Sequence, residues 1–212
     1  MAFDKTRFGG VVAPIVNPCG EDDSLDRGAL EANLTRLLAT DVAGLYINGG
    51  TGDAANLTQD ERLETAALLV PRLLAAGKLA IVHVGQTNQR QAVELARQAA
   101  ALGAHAVASI PPKKPWPQIV EYYKALAAAG APVIVYYIPG VTGMTAGMPE
   151  LRMLLDIPGV AGIKMSDWNI FLLRSVVLEY PEKVVYSGFD EMLVPGLLYG
   201  AHGCIGTWAN LL

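Results

Sequence analysis

The chain has 212 residues, 52% of them hydrophobic, and a formal charge of -4. That is enough for one sizeable core and too apolar for a disordered chain. Lysines and arginines are scattered and outnumbered by acids, which argues against a phosphate-backbone footprint and so against a nucleic-acid partner.

The opening Met1-Ala2-Phe3-Asp4-Lys5 lacks the long apolar core of a signal peptide, and no apolar stretch approaches a membrane span, so a cytoplasmic protein without a membrane partner is expected. Cys19 and Cys204 lie far apart with no CxxC spacing, which gives no support to a metal site or a disulfide framework.

Runs rich in Val and Ile then alternate with stretches of helical periodicity, the pattern of βα units around a parallel sheet. Strands are expected at residues 11–17, 43–48, 79–85, 106–110, 132–138, 160–165, 184–188 and 203–208. Between them, Ser24 and Asn88 read as N-caps, and Thr58 with Glu61 as a capping box. Leu30, Leu34, Leu37 and Leu38 fall on one helical face, as do Ala92, Leu95, Ala96, Ala99 and Leu102. Eight such units predict a (β/α)8 TIM barrel, near the lower end of that fold's size range. A doubly wound open sheet is the alternative, weakened because no GxGxxG follows the first strand. The sequence stops at Leu212, just after the eighth strand. A single barrel domain over 1–212, truncated at its carboxyl end and lacking its last helix, is therefore expected. Apolar surface exposed on the last βα units would aggregate or be buried by a partner.

Parallel strands of α/β folds carry chemistry at their carboxyl ends. Lys164 leaves the sixth strand at that end, whereas Lys78 and Lys183 precede theirs and belong to the opposite rim. Lys164 is the candidate catalytic amine, against the plainer reading of a rim lysine reaching for water. After the second strand comes Gly49-Gly50-Thr51-Gly52-Asp53, a turn whose bare N–H groups could hold a phosphate or a carboxylate, or a turn chosen for backbone shape alone. The fifth strand ends in Tyr136-Tyr137-Ile138-Pro139. Alternation sends the two tyrosines to opposite faces, one of them into the barrel mouth beside Lys164 or simply into the core as an aromatic plug.

Those three segments, with Gly162-Ile163-Lys164, Ser187-Gly188-Phe189-Asp190-Glu191 and Gly203-Cys204-Ile205-Gly206-Thr207, occur in an order that resembles the N-acetylneuraminate lyase and dihydrodipicolinate synthase family. The resemblance spans nearly the whole chain and implies a class I aldolase or related lyase on a (β/α)8 barrel. Such enzymes need no cofactor, act on pyruvate or other 2-oxo acids, are usually tetrameric and carry a C-terminal helical region that this sequence lacks. It further implies that Lys164 forms a Schiff base with the 2-oxo carbon, which suits an apolar setting because only the neutral amine is nucleophilic. Tyr136 would shuttle protons. Thr51, with N–H groups around Gly50 and Gly52, would hold the substrate carboxylate, and Thr207 closes the last matching segment at the substrate.

The position two residues after the Tyr-x-x-Pro motif, an arginine in dihydrodipicolinate synthases, is Val141 here, which disfavours that activity. Gly188, Asp190 and Glu191 match the stretch with which sialic acid lyases bind a hydroxylated tail, although acids at a helix start are also favoured by its dipole. The resemblance thus favours a lyase releasing pyruvate and an aldehyde from a sugar-derived 2-oxo acid. A dehydratase using the same imine and a silent 2-oxo acid binding protein are the alternatives. Three departures stand out. Gly50 replaces the usual Ser or Thr, Asp53 replaces Glu, and Ile110-Pro111-Pro112-Lys113-Lys114-Pro115-Trp116 carries no tyrosine where many members contribute one to a neighbouring subunit. Lys113 and Lys114 form a solvated turn or bring positive charge towards an acidic substrate. His83, His105 and His202 read as capped or partly buried residues rather than catalytic ones.

Overall fold

The structure is a computed structural model that describes residues 4–211. Residues 1–3, read above for a leader, and Leu212 lie outside the described residues. Eight parallel strands close on themselves in chain order: β1 (Gly10–Pro14), β2 (Gly44–Ile47), β3 (Leu79–His83), β4 (Ala106–Ser109), β5 (Val133–Tyr137), β6 (Val160–Met165), β7 (Val184–Ser187) and β8 (Gly203–Cys204). Around them run α1 (Arg27–Leu38), α2 (Gln59–Ala75), α3 (Gln89–Ala101), α4 (Trp116–Ala127), a short α5 (Pro139–Thr142), α6 (Met148–Leu155), α7 (Ile170–Glu179) and α8 (Leu193–Leu198). The TIM barrel expected from the sequence is the fold, and the open sheet is excluded. No helix among the described residues is long and apolar enough to cross a membrane.

Two cores follow from strand alternation. Residues such as Leu45, Ile47, Val107, Val135, Ile163 and Met165 face outward and pack under the helices. The barrel interior holds a smaller set that includes Phe8, Val12, Tyr46, Ile81, Ile134, Tyr136 and Tyr186. Phe8 plugs the amino end, where its carbonyl accepts from the Tyr186 hydroxyl at 2.6 Å. In register, Tyr136 of β5 lies beside Lys164 of β6, and Lys164 beside Tyr186 of β7, so all three project inward together.

Local chemistry explains where elements begin. The Thr58–Glu61 capping box forms as expected, with Glu61 N donating to Thr58 Oγ1 at 3.2 Å and Thr58 N to Glu61 Oε2 at 2.8 Å. Asn88 caps α3. The α1 cap is Asp26 rather than Ser24, because Ser24 is already held in a tight loop in which its N–H and Oγ both bond Asp22. Leu102 lies one residue past α3, at its C-cap. Every strand except the sixth is shorter than the apolar run that announced it, the first, second, third, fifth and eighth by two residues or more. At β8 the chain leaves the sheet after Cys204 and forms a 3-10 turn over Thr207–Leu211, from which Asn210 Nδ2 donates to Pro14 O at 2.9 Å.

The amino-end rim is tied by side chains. Lys78 Nζ donates to Thr40 O and Val42 O, and Lys183 Nζ to Val160 O, as their position before a strand required. His105 Nδ1 accepts from Ala80 N and His202 Nδ1 from Val185 N, the same device half a barrel apart. All of this leaves the carboxyl-end rim for chemistry.

Candidate active site

Lys164 is 5% exposed and Tyr136 7% exposed, at the carboxyl end of neighbouring strands. The Lys164 Nζ lies 4.1 Å from the centroid of the Tyr136 ring and 4.9 Å from that of Tyr46. Tyr46 and Tyr136 meet edge to face at 6.3 Å, so the amine is lodged between two aromatic walls. No ion pair holds Lys164 among the described residues. Alternation resolves the tyrosine pair. Tyr136 faces the amine, while Tyr137 faces the helices, where its hydroxyl accepts from Ala146 N at 3.1 Å.

Behind the amine, Ser166 Oγ donates to the Tyr136 hydroxyl at 3.4 Å, a long contact. Gly188 presses against both: a Cβ there would lie 2.1 Å from Ser166 Oγ and 3.1 Å from Lys164 Cε. Gly188 is a glycine because that space is taken.

In the turn after β2, Asp53 N donates to Gly50 O and Ala54 N to Gly49 O, so the N–H groups of Gly50, Thr51 and Gly52 stay outside the turn's own bonding. Gly52 faces the segment that follows β1, its carbonyl accepting from Asn17 Nδ2 at 2.7 Å. The Thr51 and Thr207 hydroxyls are 2.8 Å apart, which joins two site residues from opposite ends of the sequence. Asp190 leans on the same segment: a Cβ on Gly206 would meet Asp190 Oδ1 at 1.9 Å, and that oxygen accepts from Trp208 N at 3.3 Å. Glu191 is exposed in the 3-10 turn Asp190–Met192 that leads into α8. One carboxylate therefore braces the rim and the other faces water.

His83 is buried and bonded at both nitrogens, Nδ1 to Asn48 O at 3.1 Å and Nε2 to Ile110 N at 3.2 Å. A carbonyl takes a proton from Nδ1 and an amide gives one to Nε2, so the ring is neutral with a fixed tautomer. Burial pushes its pKa down to about 3, helped by the charges of Arg62 and Lys164. Its ring stands edge to face with Tyr136 at 6.3 Å. Burial also holds the Tyr46 hydroxyl well above its ordinary pKa, and that hydroxyl has no hydrogen-bond partner among the described residues.

A cavity of about 520 Å3 opens on this rim, bordered by Gly50, His83, Lys113 and Val141 but not by Lys164. Thus Lys164, Tyr136 and Gly188 form one cluster, Thr51, Thr207 and Asp190 a second, and Gly50 faces the cavity beside them. Tyr46 and Ser166 were not singled out in the sequence. The signal for Tyr46 was its inward alternation three residues before the glycine turn.

Residues 7–212 match the dihydrodipicolinate synthetase family. The chain belongs to that family. It is 34% identical over 209 residues to an N-acetylneuraminate lyase of Rhizobium meliloti (strain 1021), covering 96% of this chain and 69% of the relative. Among solved structures it resembles CdNal from Clostridium difficile in complex with mannosamine, with TM-score 0.92 and 25% identity over 96% of this chain and 71% of the other. It also resembles YagE, a prophage protein of E. coli K12 belonging to the dihydrodipicolinic acid synthase family, in complex with pyruvate, with TM-score 0.90 and 26% identity over 96% and 71%. Family and relatives support a lyase of the aldolase kind.

Proposed function

We propose that the chain is a Schiff-base lyase that cleaves a sugar-derived 2-oxo acid reversibly to pyruvate and an aldehyde. The observation that carries the reading is the inward pairing of Lys164 with Tyr136 at the carboxyl end of the barrel, with no ion pair to the lysine among the described residues. The neutral Lys164 amine adds to the 2-oxo carbon, and the carbinolamine loses water to give an iminium. That cation draws in the electron pair of the bond between C3 and C4 as it breaks. Tyr136, whose own proton has left with that water, accepts the proton of the C4 hydroxyl, the aldehyde leaves, and Tyr136 passes the proton on to C3 of the resulting enamine. Water then releases pyruvate and restores the amine. Ser166, within reach of the Tyr136 hydroxyl, extends the proton path.

The carboxylate of the substrate is assigned to Thr51 and the N–H groups of Gly50 and Gly52, which the turn leaves free of its own bonds. The hydroxylated tail is assigned to Gly188, Asp190, Glu191 and Thr207. The names of the relatives, N-acetylneuraminate lyase foremost, and the pyruvate and mannosamine complexes of the structural neighbours support this class of substrate. The small-molecule 2-oxo acid is the partner this reading requires, and a homo-oligomer is the expected assembly.

Product analysis tests it. Incubation with N-acetylneuraminate or a 2-oxo-3-deoxy sugar acid is expected to release free pyruvate in step with loss of substrate. Loss of water with the carbon chain retained would replace the lyase by a dehydratase.

A further inference from the structure

The turn assigned to the substrate carboxylate is gripped at both ends by buried side chains that the lyase mechanism does not use. At its start, the Nδ1–H of His83 donates to Asn48 O at 3.1 Å, and Asn48 stands immediately before Gly49. At its end, Asn17 Nδ2 donates to Gly52 O at 2.7 Å. His83, Asn48 and Asn17 are all buried, so water does not compete for these bonds. The backbone of Asn48 lies in the left-handed region at φ +58°, which asparagine tolerates, and its side chain is tied too, Nδ2 donating to Arg62 O at 2.9 Å. The other nitrogen of His83 accepts from Ile110 N at 3.2 Å. Arg62 in turn donates to the carbonyls of His83 and Gly85, at 2.9 and 3.1 Å. A Cβ on Gly85 would meet the imidazole at 2.7 Å, so the ring has no room to swing away. The segments that follow β1, β2, β3 and β4 are thus bound into one frame, while the N–H groups of Gly50, Thr51 and Gly52 stay outside the turn's own bonds.

We propose that His83 and Asn17 are positioning residues for substrate binding, which act through the glycine turn by fixing its N–H groups where the carboxylate of the 2-oxo acid is received. The proposal rests on the lyase reading for the identity of that carboxylate. Donors must be held to within about 0.5 Å of the productive geometry, and a misplacement of about 1 Å can cost on the order of 100-fold. A ring that only filled the core would need neither bond, and an apolar side chain of the same size would replace it at little cost to binding.

The test compares pyruvate with acetone, two ketones that both offer Lys164 a carbonyl carbon and differ in the carboxylate. Borohydride-trapped adduct is measured by intact mass over a range of concentrations, which gives each protein a ratio of trapping efficiencies. H83F keeps a ring and loses both bonds, and N17A releases Gly52 O. Each is expected to lower the pyruvate-to-acetone ratio by about 10-fold, through weaker saturation by pyruvate with acetone trapping unchanged. Loss of stability alone moves both ketones together. An unchanged ratio in folded H83F and N17A therefore overturns the proposal, as does a wild type that prefers neither ketone. H83Q keeps a donor and an acceptor and is expected to recover part of the ratio. A ratio as low as that of H83F would assign the effect to ring shape and overturn the role of the two bonds. If H83F does not fold, N17A and H83Q decide. Wild type that forms no adduct with either ketone counts against the lyase reading, and calorimetric titration with pyruvate then judges the positioning role. Binding about 10-fold weaker in N17A than in wild type supports it, and equal binding, or none by wild type, overturns it.

Discussion

Two side chains on adjacent strands carry the proposed chemistry, and they should fail differently. Y136F keeps the amine and its apolar wall but loses the proton relay. Turnover is expected to fall by about 100-fold or more while pyruvate still forms a reducible adduct. Steady-state kinetics beside adduct mass spectrometry reads both, and a Y136F enzyme of undiminished kcat would remove Tyr136 from the mechanism. His83 makes a prediction about pH. Its folded pKa of about 3 lies below the ordinary 6.5, so as pH falls below 6.5 the unfolded chain takes up a proton that the folded chain refuses. Stability from this group is therefore full above pH 6.5 and drains towards pH 3, by up to about 1.4 kcal/mol per pH unit. In urea titrations from pH 7 to pH 4, H83Q should be the less stable protein at neutral pH and should close the gap on acidification. Parallel curves would show that the ring's neutrality is not what acid attacks.

Elements test the packing around the site. T58A removes the side-chain half of the capping box at α2 and should cost about 1 kcal/mol of stability, measured by denaturant unfolding, without touching adduct formation. G188A acts the other way. Its Cβ would fall on Ser166 Oγ and crowd Lys164, so activity should drop steeply while the melting temperature changes by only a few degrees. Strand order was legible in the sequence because each buried strand is an uninterrupted apolar run, and Asn88 and Thr58 announce their helices by short-range bonds that any reader can count. The strand ends were not legible, since apolar residues past Cys204 or Pro14 pack in loops as well as in ladders. Ser24 misled because its hydroxyl had a nearer partner in Asp22.

At the scale of the whole molecule, barrel closure does what local pattern cannot reveal. Lys164 and Tyr136 were readable because both sit at strand ends whose direction the βα alternation fixes. Tyr46, the second aromatic wall, and Arg62, the buried cation of the adjacent cavity, reach the same rim from β2 and α2 only once β1 meets β8. Large apolar side chains of the last units are also exposed. Leu198 is 79% exposed and Leu211 84%, with Val194 and Trp208 also exposed. The expectation of uncovered apolar residues on the last units agrees with this surface. It predicts concentration-dependent self-association in sedimentation velocity, weakened by V194E/L198E, and a monodisperse monomer at all concentrations would contradict it.

Imine formation at Lys164 is the claim on which the rest depends. Intact-mass spectrometry after incubation with pyruvate and borohydride, followed by peptide mapping, tests it most directly. A single reduced pyruvate adduct on Lys164 is the predicted result. Folded protein that forms no adduct with pyruvate or longer 2-oxo acids would contradict both the lyase and its dehydratase variant and leave a 2-oxo acid binding protein on the same barrel.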